Sequence, residues 1–175
     1  LAGLKEEKWE VIISMLEENF NCPETSSLGR LFAAVSALLG LCKTRTYQPQ
    51  AAVKLETAAF SAEANSCYPY QINYRAGKSL VDTDEIIVKL VEDREAGLST
   101  RVIARKFHNT VIDFAAKLCR QIRDEFDLNR VVLSGGVFQN KIISSGLYKR
   151  LREAEFKVYL PQEIPCNDGG IALGQ

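Results

Sequence analysis

Basic residues never run beyond a pair in this chain of 175 residues, and 22 Lys and Arg are balanced by 22 Asp and Glu. A large nucleic-acid footprint needs a basic stripe, so that partner class is excluded. Charges interrupt every apolar run before membrane-spanning length, and the opening residues do not read as a secretory signal. The five cysteines, at 22, 42, 67, 119 and 166, are odd in number, and no two share metal-clip spacing. That argues against a disulfide framework and for a reducing, cytoplasmic setting, with each cysteine a small buried hydrophobe. Histidine occurs once, at His108. On a helical stretch it reads as a packed or capping residue rather than a ligand. No side chain reads as a nucleophile, and there is no internal repeat or low-complexity linker.

What is present is ordinary for a globular chain: 46% hydrophobic and 25% charged residues, enough for one domain or two small lobes. The chain starts at Leu1 in a helical pattern and ends within the apolar stretch Ile171-Ala172-Leu173-Gly174-Gln175. Both ends read as cuts through a longer protein, so ligands of any site are expected to lie partly outside it.

The apolar spacing predicts a helix over 5–20, with Trp9, Ile12, Ile13, Leu16 and Phe20 on one stripe. A second helix begins after the hydroxyls of Thr25-Ser26-Ser27 and runs to Gly40, and a third covers about Ala51 to Ala64. Tyr68 to Tyr74 alternates as a strand does. Acidic caps at 82–85 start a helix that ends at Gly97, and Ser99-Thr100 caps a long one carrying Ile103, Phe107, Val111 and Phe114. The last third changes character. A strand at Arg130–Leu133, a helix from about Asn140 to Glu153, a strand at Phe156–Leu160 and a new helix after Gly170 follow one another. That order implies parallel pairing and an α/β fold.

Two glycine turns sit in this third. In the first, a buried strand delivers Ser134-Gly135-Gly136 to a helix start. It reads either as a tight turn needing positive φ or as backbone left open for a ligand, with the helix N-terminus favouring an anion. In the second, Asn167-Asp168-Gly169-Gly170, Asn167 or Asp168 either caps the last helix or Asp168 offers a hard oxygen to a metal while the glycines admit a phosphate.

Together the turns are more specific than either alone. LSGGVFQN (Leu133–Asn140) followed by NDGGIALGQ (Asn167–Gln175) resembles the end of the HypF carbamoyltransferase family, and SSLGRLFAAVSALLGL (Ser26–Leu41), QAAVKLE (Gln50–Glu56) and KFHNTVIDFAAKL (Lys106–Leu118) match in order. The resemblance covers about Thr25 to Gln175. It implies the second lobe of an actin-like ATPase (ribonuclease H-like) domain with an inserted helical region: mostly helical over about 25–128, then a βαβα nucleotide-binding part over 129–175. It implies a cytoplasmic protein of nickel–iron hydrogenase maturation that consumes ATP and carbamoyl phosphate. Carbamoyl-adenylate made by upstream domains of the same chain gives its carbamoyl group to the C-terminal cysteine thiolate of a HypE-like partner. Carried over by position, Gly135, Gly136, Asn140 and Gly169 contact the nucleotide, and Asp168 is one ligand of a divalent metal, zinc or iron, whose histidine ligands lie upstream. No catalytic residue is implied here, nor any nucleic-acid or membrane partner.

Two departures from the family pattern stand out. Ala33 replaces an aspartate, and Gln48-Pro49 replaces Glu-Gly. A carboxylate at either position would accept ribose hydroxyls, and proline removes an amide donor. Each lost charged hydrogen bond costs about 1.5–3 kcal/mol. A tRNA threonylcarbamoyl or O-carbamoyl transferase on the same fold, and a degenerate nucleotide-binding module, therefore remain as alternatives.

Overall fold

A computed structural model describes residues 6–170 and Ala172. In chain order the elements are α1 (Glu6–Glu17), α2 (Leu28–Leu38), α3 (Gln50–Phe60), β1 (Gln71–Arg75), β2 (Lys78–Asp82), α4 (Asp84–Glu95), α5 (Thr100–Phe126), β3 (Arg130–Val132), α6 (Lys141–Glu153) and β4 (Lys157–Tyr159). Among the described residues no helix is long and apolar enough to cross a membrane.

The chain is organised around α5. Its 27 residues span about 40 Å at helical rise. Ser99 starts it, with Oγ accepting from the Val102 amide at 3.3 Å, and Asp127, at φ 55°, ends it in a left-handed cap. Ile103, Phe107 and Val111 are buried along one side. The Phe107 ring meets Phe32 of α2 edge-on, with centroids 5.1 Å apart. Burying each such side chain contributes about 1.5–3 kcal/mol. Helices α3, α4 and α6 also pack on α5. The turn between α6 and β4 is pinned to it by Arg123, which lies over the Phe156 ring and donates to the Ala154 carbonyl at 2.8 Å.

The expected parallel pairing is observed. β3 and β4 run side by side with Val131 opposite Val158, and α6 forms the crossover between them. The caps at Ser27 and Ser99 lie where the sequence puts them.

Three expectations need correction. The third helix stops at Phe60, and the strand starts at Gln71 rather than Tyr68. Between them the chain is strapped to α5: Asn109 donates to the Ala64 carbonyl at 2.6 Å, the Tyr68 amide donates to Thr110 Oγ1 at 2.8 Å, and the Tyr70 hydroxyl donates to Asp113 at 2.5 Å. These bonds replace the helix and strand ladders that propensity favours there. The strand β2 was not expected. It pairs antiparallel with β1 through a two-residue turn in which Ala76 and Gly77 both have positive φ, 49° and 74°. Lastly, the apolar stripe of α1 has no cover among the described residues, since Ile12, Ile13, Leu16 and Phe20 are all exposed.

After Asp168–Gly170, which form a 3₁₀ turn, the expected final helix falls mostly outside the described residues; Ala172 is helical.

Candidate functional site

The two glycine turns are held together by one backbone bond. The Gly135 amide donates to the Cys166 carbonyl at 2.6 Å, linking the end of β3 to the segment before Asn167. Gly135 adopts φ +104°, which side chains rarely tolerate. Its amide is therefore committed within the protein, and its part in the site is to join the turns.

Gly136 differs. Its φ lies outside the left-handed region, and a Cβ added there would meet nothing within 4 Å. Nothing in the protein's own packing demands glycine at this position. It opens a 3₁₀ turn, Gly136–Gln139, whose first two amides, of Gly136 and Val137, have no acceptor among the described residues. Both residues line an open cleft of about 870 Å³. Asn140, Asp168 and Gly169 line the same cleft, so it gathers four of the five residues carried over from the family, with Gly135 directly behind.

Asn140 is buried, at 7% exposure, and both ends of its amide are engaged. Oδ1 caps α6 by accepting from the Ile143 amide at 3.0 Å, which leaves Nδ2 facing His108 Nε2 at 3.0 Å. His108 is fully buried, and its Nδ1 lies 2.7 Å from the Ala104 carbonyl. A carbonyl only accepts, so the proton sits on Nδ1 and Nε2 accepts from Asn140. Burial pushes the His108 pKa down to about 4, against the opposing effect of the Ala104 bond. The lone histidine is thus a neutral packed residue that orients Asn140, which in turn fixes the start of α6 beside the cleft.

The start of α6 is not an open anion site. The Lys141 amide donates to Glu56 Oε1 of α3 at 2.6 Å, and Asn140 takes the Ile143 amide. The anion expected there is already supplied by the chain, across 85 residues of sequence.

In the second turn Asn167 performs the capping, its Oδ1 accepting from the Gly169 amide at 3.0 Å. Asp168 is exposed in the cleft and has no hydrogen-bond or ion-pair partner among the described residues. An uncommitted carboxylate at the rim of a cleft fits one oxygen ligand of a divalent metal. No cluster of three or more potential metal ligands exists among the described residues, so the rest of such a set must come from elsewhere.

Ala33, Gln48 and Pro49 also line the cleft, so the departures from the family pattern fall on its wall and not on remote surface. Arg30, Arg45 and Glu56 line it too, and sequence reading missed all three. Arg30 lay inside a segment already singled out, but nothing in the spacing separated it from a solvated helix residue.

The carbamoyltransferase Kae1-like domain, second subdomain, matches residues 1–175. The carbamoyltransferase HypF of Synechocystis is 34% identical over 164 residues, which are 93% of this chain and 20% of that protein. A crystal structure of full-length HypF in its phosphate- and nucleotide-bound form aligns with 98% of this chain at a TM-score of 0.93 and 37% identity, over 22% of its own length. A crystal structure of T. kodakarensis HypF aligns with 96% at a TM-score of 0.83 and 28% identity, over 21% of its length. The chain thus spans about a fifth of the relatives it matches. The Kae1-like domain has the actin-like, ribonuclease H-like fold that the resemblance implied. Matched along its whole length, the chain belongs to the HypF carbamoyltransferase family, as the second subdomain of the Kae1-like domain.

Proposed function

We propose that the cleft holds the nucleotide part of carbamoyl-adenylate, and that this chain supplies one side of a site passing the carbamoyl group to the C-terminal cysteine thiolate of a HypE-like acceptor. ATP and carbamoyl phosphate feed that reaction through upstream domains, and the chain is the C-terminal part of the transfer domain. The observation that carries the reading is the Gly135–Cys166 bond, which brings Gly136 and Asp168 onto one cleft from turns over thirty residues apart. The nucleotide- and phosphate-bound state of a HypF structure aligned over nearly the whole chain supports it.

In this reading the free amides of Gly136 and Val137 bind the ligand, Gly169 admits it closely, and Asn140 acts by fixing the loop. A divalent metal, zinc or iron, held by Asp168 and upstream ligands would polarise the carbonyl or hold the phosphate. The thiolate comes from the partner. Carbamoyl transfer by the longer protein tests this: Asp168→Ala is expected to abolish transfer and lower metal content, and unchanged transfer with unchanged metal would refute the assignment.

A degenerate binding module is the second reading, favoured by Ala33, Gln48 and Pro49 on the cleft wall. Transfer activity of the longer protein separates the two, and a threonylcarbamoyl or O-carbamoyl acceptor would be identified by the same assay run with each acceptor class.

A further inference from the structure

Four charged side chains line the cleft. Its two carboxylates are Glu56, bonded to the Lys141 amide, and Asp168, on the C-terminal turn. The two cations, Arg30 on α2 and Arg45 in the loop before α3, line it together with Ala33, Gln48 and Pro49. Neither arginine has an ion-pair partner among the described residues. Arg45 is steadied only by a long bond, 3.4 Å, from a guanidinium nitrogen to the Gln48 carbonyl.

Sequence spacing sharpens the pattern. Three residues beyond Arg30 on the same helix stands Ala33, and three beyond Arg45 stands Gln48. On a helix, residues three apart are neighbours, and an acid at 33 would neutralise Arg30. Both arginines instead face the cleft beside uncharged residues. A guanidinium matches the oxygen geometry of a phosphate and holds it in two-point fashion.

We propose that Arg30 and Arg45 form the anion-recognising wall of the cleft and take a phosphate group of the bound ligand, so that affinity rests on the phosphate more than on the ribose. The proposal rests on the nucleotide reading of the cleft for the identity of the ligand, but the phosphate site itself does not. It also gives the neutral residues at 33 and 48 a consequence: the positions that lack ribose acceptors are the ones that leave the arginines available.

The test is calorimetry on the whole protein with adenosine, AMP and inorganic phosphate, in the wild type, in Arg30→Gln with Arg45→Gln, and in Ala33→Asp with Gln48→Glu. In the wild type AMP should bind about tenfold or more tightly than adenosine, since a charge-assisted contact of this kind is worth at least that. The arginine double variant should reduce AMP to about the affinity of adenosine and leave adenosine within about twofold. Ala33→Asp with Gln48→Glu should tighten adenosine through its new ribose acceptors and narrow the AMP-to-adenosine ratio, because the carboxylates occupy the arginines. All four positions are half-exposed or exposed, and thermal melts confirm that each variant is folded. An AMP-to-adenosine ratio unchanged in the arginine variant overturns the proposal while the nucleotide reading stands. Arginine-dependent binding of inorganic phosphate without binding of AMP or adenosine supports the phosphate site and overturns the nucleotide reading. Binding of none of the three overturns both.

Discussion

The helical half of the molecule and its C-terminal third solve different problems. In the first, α2, α3 and α5 bury Phe32, Leu55, Ile103 and Phe107 completely or nearly so, and side-chain caps close the N-termini of α2 and α5. In the second, a two-stranded parallel sheet carries Val132 at 66% and Tyr159 at 51% exposure, and 161–165 is exposed throughout. Parallel sheets are ordinarily covered on both faces. Stability therefore resides in the helices, while the cleft lies where the two glycine turns meet the starts of α2 and α3. The link is specific: His108, inside the helical core, holds Asn140, and Asn140 holds the glycine-turn side of α6.

That division can be broken most forcefully from the core. Phe107→Ala should cost about 3–5 kcal/mol, read as a lowered denaturation midpoint, because a fully buried ring in edge contact with Phe32 leaves a cavity. A cost below about 1 kcal/mol would show that α5 is not the centre of the core.

Acid tests the link between the halves. His108 has a folded pKa of about 4 against 6.5 for the unfolded residue, so the unfolded chain binds the extra proton first. Its contribution is present above pH 6.5 and is lost as pH falls toward 4, by about 3 kcal/mol in all. Stability measured against pH should fall through that window in the wild type. A histidine that titrates near its ordinary value by NMR would contradict the buried Nδ1–Ala104 and Nε2–Asn140 arrangement.

Asn140→Ala removes the α6 cap and strands Nε2 of His108, for about 2 kcal/mol of stability. It should also weaken ligand binding although the side chain need not touch the ligand. Smallest in stability is Asp168→Ala, expected to shift unfolding by less than about 0.5 kcal/mol because the carboxylate is exposed and unpartnered. Together these variants separate residues that shape the cleft from one that is free to serve it.

Sequence legibility follows the same division. The caps at Ser27 and Ser99 were readable because each is a local bond spanning three residues, whereas Asn140, expected to contact the nucleotide, was not read as the cap of α6. The β3–α6–β4 unit was readable from its order of elements. The hairpin was missed although its signal is present, because Ala-Gly is a weak mark for a turn in which Asn-Gly or Asp-Gly is usual. The strap at Tyr68 and Tyr70 was misread as strand because its bonds run to α5 residues 42 and 43 positions away. Glu56 was invisible for the same reason, its partner being 85 residues distant. Both glycine turns were legible as turns; that Gly135 spends its amide on Cys166 while Gly136 keeps its own free was not.

The most direct test of a single cleft shared by both turns is amide NMR during titration with AMP. The amides of Gly136, Val137 and Asp168, which have no acceptor among the described residues, should shift together along one binding curve, with Gly135 and Gly169 perturbed less because their amides are already bonded. Shifts confined to one turn, or two turns responding with separate midpoints, would contradict it.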